Sequence, residues 1–284
     1  TVLRHQGWVR TMAVSPDEKT LVTGTSYPGE NSVYLWDLTT GDKRWTIPSP
    51  GDGIYPVAVQ FSSRGDAVTT GWSDGTVRTW DVVSHRVSSA TPPEAAEGAR
   101  KDFPGNFAHT GVLSRDGTKL GTVGKASGVR ITDLATRRAV TSPRGSTMAA
   151  SPDGKTVAIA ARGRPALIKL ADGRTRSDGR RADSTISWVD SESGHQRRAI
   201  VIPESYVNSL AFSTDGQLLA AGTSFHWERG VIHIYRLRDE KELQTIETPC
   251  RPTLGLAFTP DGKGLVSGMS DTSILIWDLH FDLK

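Results

Sequence analysis

One phrase recurs six times along this chain: a short lead-in, a hydroxyl residue, and a tight turn that ends in Asp-Gly or a near variant. The copies are Ala13-Val14-Ser15-Pro16-Asp17, Gln60-Phe61-Ser62-Ser63-Arg64-Gly65, Val112-Leu113-Ser114-Arg115-Asp116-Gly117, Ala149-Ala150-Ser151-Pro152-Asp153-Gly154, Ala211-Phe212-Ser213-Thr214-Asp215-Gly216 and Ala257-Phe258-Thr259-Pro260-Asp261-Gly262. The anchors Ser15, Ser62, Ser114, Ser151, Ser213 and Thr259 stand 47, 52, 37, 62 and 46 residues apart. Self-similarity at this period marks supersecondary units that bury their apolar faces only against one another. The hydroxyl bonds its own backbone, Pro presets φ for the first turn position, and Gly takes the left-handed conformation.

Each phrase therefore predicts a hairpin, and a second apolar strand follows, as in Thr20-Leu21-Val22-Thr23, Thr156-Val157-Ala158-Ile159 and Leu218-Leu219-Ala220-Ala221. A third strand comes after a short loop: Val33-Tyr34-Leu35-Trp36-Asp37-Leu38, Val77-Arg78-Thr79-Trp80-Asp81-Val82, Val129-Arg130-Ile131-Thr132-Asp133-Leu134 and Ile274-Leu275-Ile276-Trp277-Asp278-Leu279. Ile232-His233-Ile234-Tyr235-Arg236-Leu237 is a degenerate copy.

With these strands in place the chain resembles the WD-repeat family, over essentially its whole length. Trp36-Asp37, Trp80-Asp81 and Trp277-Asp278 stand as the family writes its Trp-Asp pair, and His5 lies ten residues before Ser15, at the family's histidine spacing. Asp74 and Asp271 match the family's loop aspartate, yet no unit holds both His and Asp, so the family's full hydrogen-bond tetrad is absent. The resemblance implies an all-β propeller of four-stranded antiparallel blades. Six blades are visible, seven are possible, and residues 1–3 are placed to supply the outer strand that closes the ring. It also implies structural roles for His5, Trp36, Asp37, Asp74, Trp80, Asp81, Asp271, Trp277 and Asp278. The expected organisation is one domain over residues 1–284, monomeric, with an insertion in blade 4 at about 162–182. The missing initiator Met and the cut at both repeat ends fit a piece of a longer polypeptide, and the regular Ser-Pro-Asp-Gly-Lys turns with many Arg, Ala and Thr resemble bacterial members.

Charge and composition narrow the function classes. Thirty-four Lys and Arg against 31 Asp and Glu give a formal net charge of +3, too little for nucleic-acid binding by global attraction. Cys250 is the single cysteine and forms no internal disulfide. No apolar run reaches the roughly 20 residues of a membrane span, and residues 1–10 lack a signal-peptide pattern; a cytoplasmic setting is expected. The histidines are scattered, and nucleophile elbows and phosphate-cradling glycine motifs are missing. The predicted innermost strands are apolar apart from isolated Arg10, Gln60 and Asn208. No catalytic residue, metal or cofactor is expected.

In a repeat protein the shared residues build the scaffold, so recognition is sought where the copies differ. The largest difference is the blade-4 insertion, where Arg162, Arg164, Lys169, Arg174, Arg176, Arg180 and Arg181 face only Asp172 and Asp178. Within it Ala166-Leu167-Ile168-Lys169-Leu170 reads either as half of an extra hairpin or as the true third strand, in competition with Ile186-Ser187-Trp188-Val189-Asp190. The segment from Thr91 to His109, with Phe103 and Phe107, is expected to reach over the same face. Trp8, Tyr27, Tyr55, Trp72, Tyr206, Phe225, Trp227 and Arg229 fall in the corresponding loops, which the family places on one flat side, the top. Aromatics ringed by Arg suit a protein-binding hot spot. The expected function is therefore a scaffold that holds a partner protein or peptide through its top-face loops. Nucleic-acid or anionic-surface binding through residues 162–181 is the alternative, and a regulatory domain of a larger signalling or effector protein is a third reading.

Overall fold

The recurrent phrase closes the turn between the first and second strands of each sheet. In a computed structural model, which describes residues 3–5, 7–26, 31–74, 76–90, 111–114, 118–123, 129–136, 138–142, 145–163, 167–169, 175–177, 182–225, 229–248, 253–271 and 273–280, Ser15 Oγ accepts a hydrogen bond from Thr20 N at 2.9 Å and donates to Asp17 Oδ1 at 2.5 Å. Ser151–Asp153, Ser213–Asp215 and Thr259–Asp261 repeat the hydroxyl–carboxylate bond at 2.5, 2.6 and 2.6 Å. The hydroxyl bond, with a backbone N–H behind it, holds the carboxyls of Asp17, Asp153 and Asp261 below the usual carboxylate range. Gly65, Gly154, Gly216 and Gly262 take the left-handed position at φ of 67 to 76°. In the first blade Glu18 occupies it at φ 60°.

Six four-stranded antiparallel sheets follow from these hairpins. Blade 1 comprises Trp8–Val14, Thr20–Ser26, Val33–Asp37 and Lys43–Ile47; blade 2, Pro56–Phe61, Ala67–Trp72, Val77–Asp81 and Val87–Ala90; blade 3, Gly111–Leu113, Lys119–Val123, Val129–Asp133 and Ala139–Ser142. Blade 4 comprises Thr147–Ala150, Thr156–Arg162, Ser184–Asp190 and Gln196–Ile202; blade 5, Tyr206–Phe212, Leu218–Phe225, Arg229–Arg236 and Lys241–Thr248; blade 6, Thr253–Phe258, Gly264–Met269 and Ser273–Asp278. Its fourth strand is Leu3–Arg4, paired antiparallel as Leu3↔Ile274 and Arg4↔Ser273. Each innermost strand lies against that of the next blade, and blade 6 lies against blade 1. The ring is thus a six-bladed propeller closed by the N-terminal strand, which removes two sheet edges.

Alternation along each strand sends neighbouring side chains to opposite seams. Leu21 joins Val9, Trp36, Val266 and Ile274 between blades 1 and 6, while Val22 joins Leu35, Val59, Phe61 and Trp72 between blades 1 and 2. Six apolar clusters occupy the six seams among the described residues. Stability therefore resides between blades more than within any one of them.

Pairing settles the competition for the third strand of blade 4. Thr156 lies opposite Asp190 and Arg162 opposite Ser184, so Ser184–Asp190 is the third strand. Leu167–Lys169 pairs instead with Thr175–Ser177 as a separate two-stranded hairpin. No helix among the described residues is long and apolar enough to cross a membrane.

Candidate functional site

The innermost strands enclose a central channel, a cavity of about 210 Å³. Its walls are mostly apolar or hydroxyl-bearing, among them Met12, Met148, Leu210 and Leu254, with the Gln60 amide besides, and Arg10 is the one charged residue among those described there. At the channel's upper end Trp8 and Tyr206 begin the innermost strands of blades 1 and 5, and Tyr55 immediately precedes that of blade 2. All three are partly buried. The pairing register then slips between Val9 and Thr11, Pro56 and Ala58, Val207 and Ser209, and Thr253 and Gly255. A bulge adds one residue and re-aims its side chain. The residues so placed are Arg10, Val57, Asn208 and Leu254.

Arg10 is held from two sides. Its Nε donates to Ser26 Oγ at 3.1 Å, and its guanidinium carbon lies 5.1 Å from the centre of the Trp8 ring. Burial pulls the guanidinium below its ordinary pKa. Burial also pushes the Tyr55 hydroxyl up to about 12, with the Arg10 charge acting in the opposite sense, so Tyr55 is neutral at pH 7 and leaves the cation uncompensated. Across the mouth Asn208 Nδ2 is buried without a hydrogen-bond partner. Arg162, the last residue of the second strand of blade 4, is exposed and sits 4.0 Å from the centre of the Tyr206 ring. The upper end of the channel therefore combines cations, ring faces and an unused donor.

Trp72 does not belong to that surface. It is wholly buried in the seam between blades 1 and 2. It ends a strand rather than lying in a loop, two residues after Thr70 and on the same side of the sheet, and its indole N–H donates to Thr70 Oγ1 at 3.0 Å. Phe225 and Arg229 lie at strand ends in blade 5 and not in a loop, as the last and first residues of paired strands and in register with each other. Arg176 lies opposite Ile168 in the inserted hairpin. Tyr27, Phe103, Phe107, Arg174, Arg180, Arg181 and Trp227 lie outside the described residues.

The scaffold residues divide the expected tetrad among blades. In blade 1 His5 Nε2 meets Thr23 Oγ1 at 2.7 Å and Trp36 Nε1 donates to the same oxygen at 3.0 Å. His5 also packs on the Trp36 ring at 4.7 Å, while its Nδ1 is buried with no partner, at the atom a loop aspartate would take. Burial, reinforced by Lys43, pulls His5 down to about 4. Blade 2 has Asp52 at the spacing where blade 1 has His5, and Thr70 Oγ1 accepts from both Trp72 and Trp80, the latter at 3.1 Å. Trp277 donates to Ser267 Oγ at 2.8 Å in blade 6. Asp74 and Asp271 cap their own loops, accepting from Thr76 N at 2.9 Å and Ser273 N at 3.0 Å. Asp37 and Asp81 cap the turns after their strands through Thr39 and Ser84, and these bonds hold both carboxyls well below the usual range. Asp278 differs: it is exposed, and among the described residues no such bond reaches it. Among the described residues no three His, Cys, Asp or Glu converge as a metal site.

Arg10 and Asn208 were visible in the sequence only as isolated polar residues on apolar strands. What sequence reasoning missed is the bulge that aims Arg10 into the channel, and the only trace of it is a charged residue where every neighbouring blade is apolar or neutral.

The WD domain, G-beta repeat family matches residues 1–37, 44–81, 193–234 and 240–278, together more than half of the chain. The Target of rapamycin complex subunit LST8-1 of Arabidopsis thaliana is 29% identical over 100 residues, 34% of this chain and 31% of that protein. The Target of rapamycin complex subunit wat1 of Schizosaccharomyces pombe is 30% identical over 100 residues, 34% of this chain and 30% of it. Transcription factor unc-37 of Caenorhabditis elegans is 30% identical over 136 residues, 48% of this chain and 20% of it. The matches thus span a third or less of these curated relatives. All three are eukaryotic and give no support to the bacterial resemblance of the turns. Among solved structures a chain of the "Crystal Structure of Mitotic Checkpoint Complex" superposes with a TM-score of 0.60 at 16% identity, covering 99% of this chain and 95% of that one, a likeness of fold. The chain belongs to the WD domain, G-beta repeat family.

Proposed function

We propose that this propeller is a non-enzymatic protein-interaction scaffold whose partner, a protein or peptide, seats over the mouth of the central channel. The observation that carries this reading is that Trp8, Arg10, Tyr55, Tyr206 and Arg162 stand at the same end of the ring, where Arg10 lines a cavity whose described walls offer no carboxylate or histidine for catalysis. Aromatic and Arg side chains dominate interface energies when a stiff frame presents them, because little entropy is lost on binding. Two of the relatives are named as complex subunits, which supports the same class of function. Arg162 packs on Tyr206, so the basic insertion starts at this mouth, and we read it as part of the protein-binding surface in preference to a nucleic-acid strip.

The test is affinity capture with the intact ring and two double variants. Arg162→Ser with Tyr206→Ser alters the mouth; Val83→Ser with Arg86→Ser alters an exposed turn at the opposite end of the strands. Capture of a given partner should weaken about tenfold or more in the first and stay unchanged in the second, with melting curves like the parent's. Unchanged capture by the first variant overturns the reading.

A further inference from the structure

A charge taken out of water is ordinarily paired, since leaving it alone costs several kcal/mol. Arg10 is partly buried and has no charged partner among the described residues. No ion pair among the described residues includes it; its guanidinium forms one hydrogen bond, from Nε to Ser26 Oγ. A guanidinium carries five N–H donors, and among the described residues none accepts from those on its two terminal nitrogens. The walls around it, including Met12 and Leu254, supply no counter-charge. A low-dielectric channel strengthens the pull of a lone cation on an anion and focuses its field outward. Trp8 and Ser26 fix the fork, which saves the entropy that a free arginine loses on binding.

We propose that the channel mouth is a carboxylate subsite, in which Arg10 receives the aspartate or glutamate side chain of a partner peptide through a paired, fork-like contact. This rests on the reading that the partner seats over the mouth, and it names the chemistry of what enters. An acidic side chain matches the site in three respects: its two oxygens fit the planar fork, its charge cancels the one uncompensated cation, and its short stem suits a cavity of about 210 Å³. Asn208 stands at the equivalent bulge two blades away, where its Nδ2 is buried without a partner, so the lone polar residue of that bulge does not supply the missing counter-charge either.

The experiment uses C-terminally amidated random peptide pools, each with one fixed residue at the centre, Asp, Glu, Asn, Gln or Ala, and measures retention on the immobilised ring. The parent should retain the Asp or Glu pool about ten- to a hundredfold over its amide counterpart, as expected for a charge-assisted bond, and this margin should shrink as salt is raised. Arg10→Met should abolish the preference while melting no lower than the parent, because it replaces a partly buried charge that has no ion pair among the described residues with an apolar side chain. Arg10→Lys should keep part of it. Pools retained without acidic preference overturn the carboxylate subsite and leave the seating of a partner intact. Retention of no pool by the parent overturns both. The same pools made with a free C-terminal carboxyl are run beside them, and higher retention of these, whatever their central residue, assigns Arg10 to a chain terminus and overturns the side-chain proposal. A lower melting temperature for Arg10→Met with loss of all pools marks Arg10 as structural and overturns it as well.

Discussion

Glu18 and Asp261, 243 residues apart in sequence, meet across the seam that closes the ring: Glu18 Oε1 accepts a hydrogen bond from Asp261 N at 2.9 Å. Glu18 stands where four other blades place Gly, at φ 60°. The left-handed region is unfavourable for a side chain bearing Cβ, by about 1 kcal/mol. An unstrained glycine was thus forgone for a residue that ties blade 1 to blade 6. Glu18→Ala keeps the strain and loses the tie, and should destabilise the protein by about 0.5–1.5 kcal/mol. Glu18→Gly loses both and should lie within about 0.5 kcal/mol of the parent. Urea titrations of the two variants separate these outcomes.

Thr70 accepts from two indoles, one of them wholly buried. Thr70→Val preserves shape and strands both donors, so it should cost about 2–4 kcal/mol, since each buried unsatisfied donor costs about 1–3 kcal/mol. The same change in the parallel position of blade 1, Thr23→Val, strands Trp36 and His5 and should cost a comparable amount. Denaturant midpoints of both variants check this.

Gly268 holds the other side of the closing seam. A Cβ there would lie 2.9 Å from Val9 Cβ and 2.7 Å from Met12 Cε, so blade 1 must retreat. Gly268→Ala should lower stability by about 1–3 kcal/mol through overpacking, whereas Gly53→Ala, where nothing lies within 4 Å, carries only its left-handed strain at φ 72°. Paired thermal melts compare them.

His5 sets a pH dependence of stability. Its folded pKa of about 4 lies below the unfolded value of 6.5, so the unfolded chain binds the proton first as pH falls. Stability is complete above pH 6.5 and declines between there and about pH 4, by up to about 3 kcal/mol. The lowered carboxyls, such as Asp190 at about 2, contribute in a separate window: their stabilisation is present above about 3.8 and fades only below it. In His5→Gln the slope between pH 6.5 and 4 should flatten while the decline at lower pH persists, as chemical denaturation at a series of pH values will show.

The ring was legible because its signals are local and repeated. Ser15, Ser151 and Ser213 announce hairpins by turn chemistry alone, and Trp36, Trp80 and Trp277 close the third strands as the repeat leads one to expect. What escaped depends on distance and register. Trp72 reads as a loop aromatic until its pairing with Pro56 puts it inside a strand, where Thr70 and the neighbouring blade enclose it. Arg10 looks like an isolated polar residue because a one-residue slip against Thr25 and Gly24 leaves no mark in composition. Ala166 to Leu170 has strand character of its own, and only the long ladder from Thr156 to Arg162 against Ser184–Asp190 shows which segment the blade takes.

Hydrogen exchange with and without a captured partner tests the central claim most directly, since it reports backbone protection strand by strand. Binding should protect the upper ends of the innermost strands, residues 8–12, 55–58 and 206–209, and leave the opposite turns at 15–20, 151–156 and 213–218 as they are in the free ring. Protection confined to those turns or to the outer strands, with the channel mouth unaltered, would contradict it.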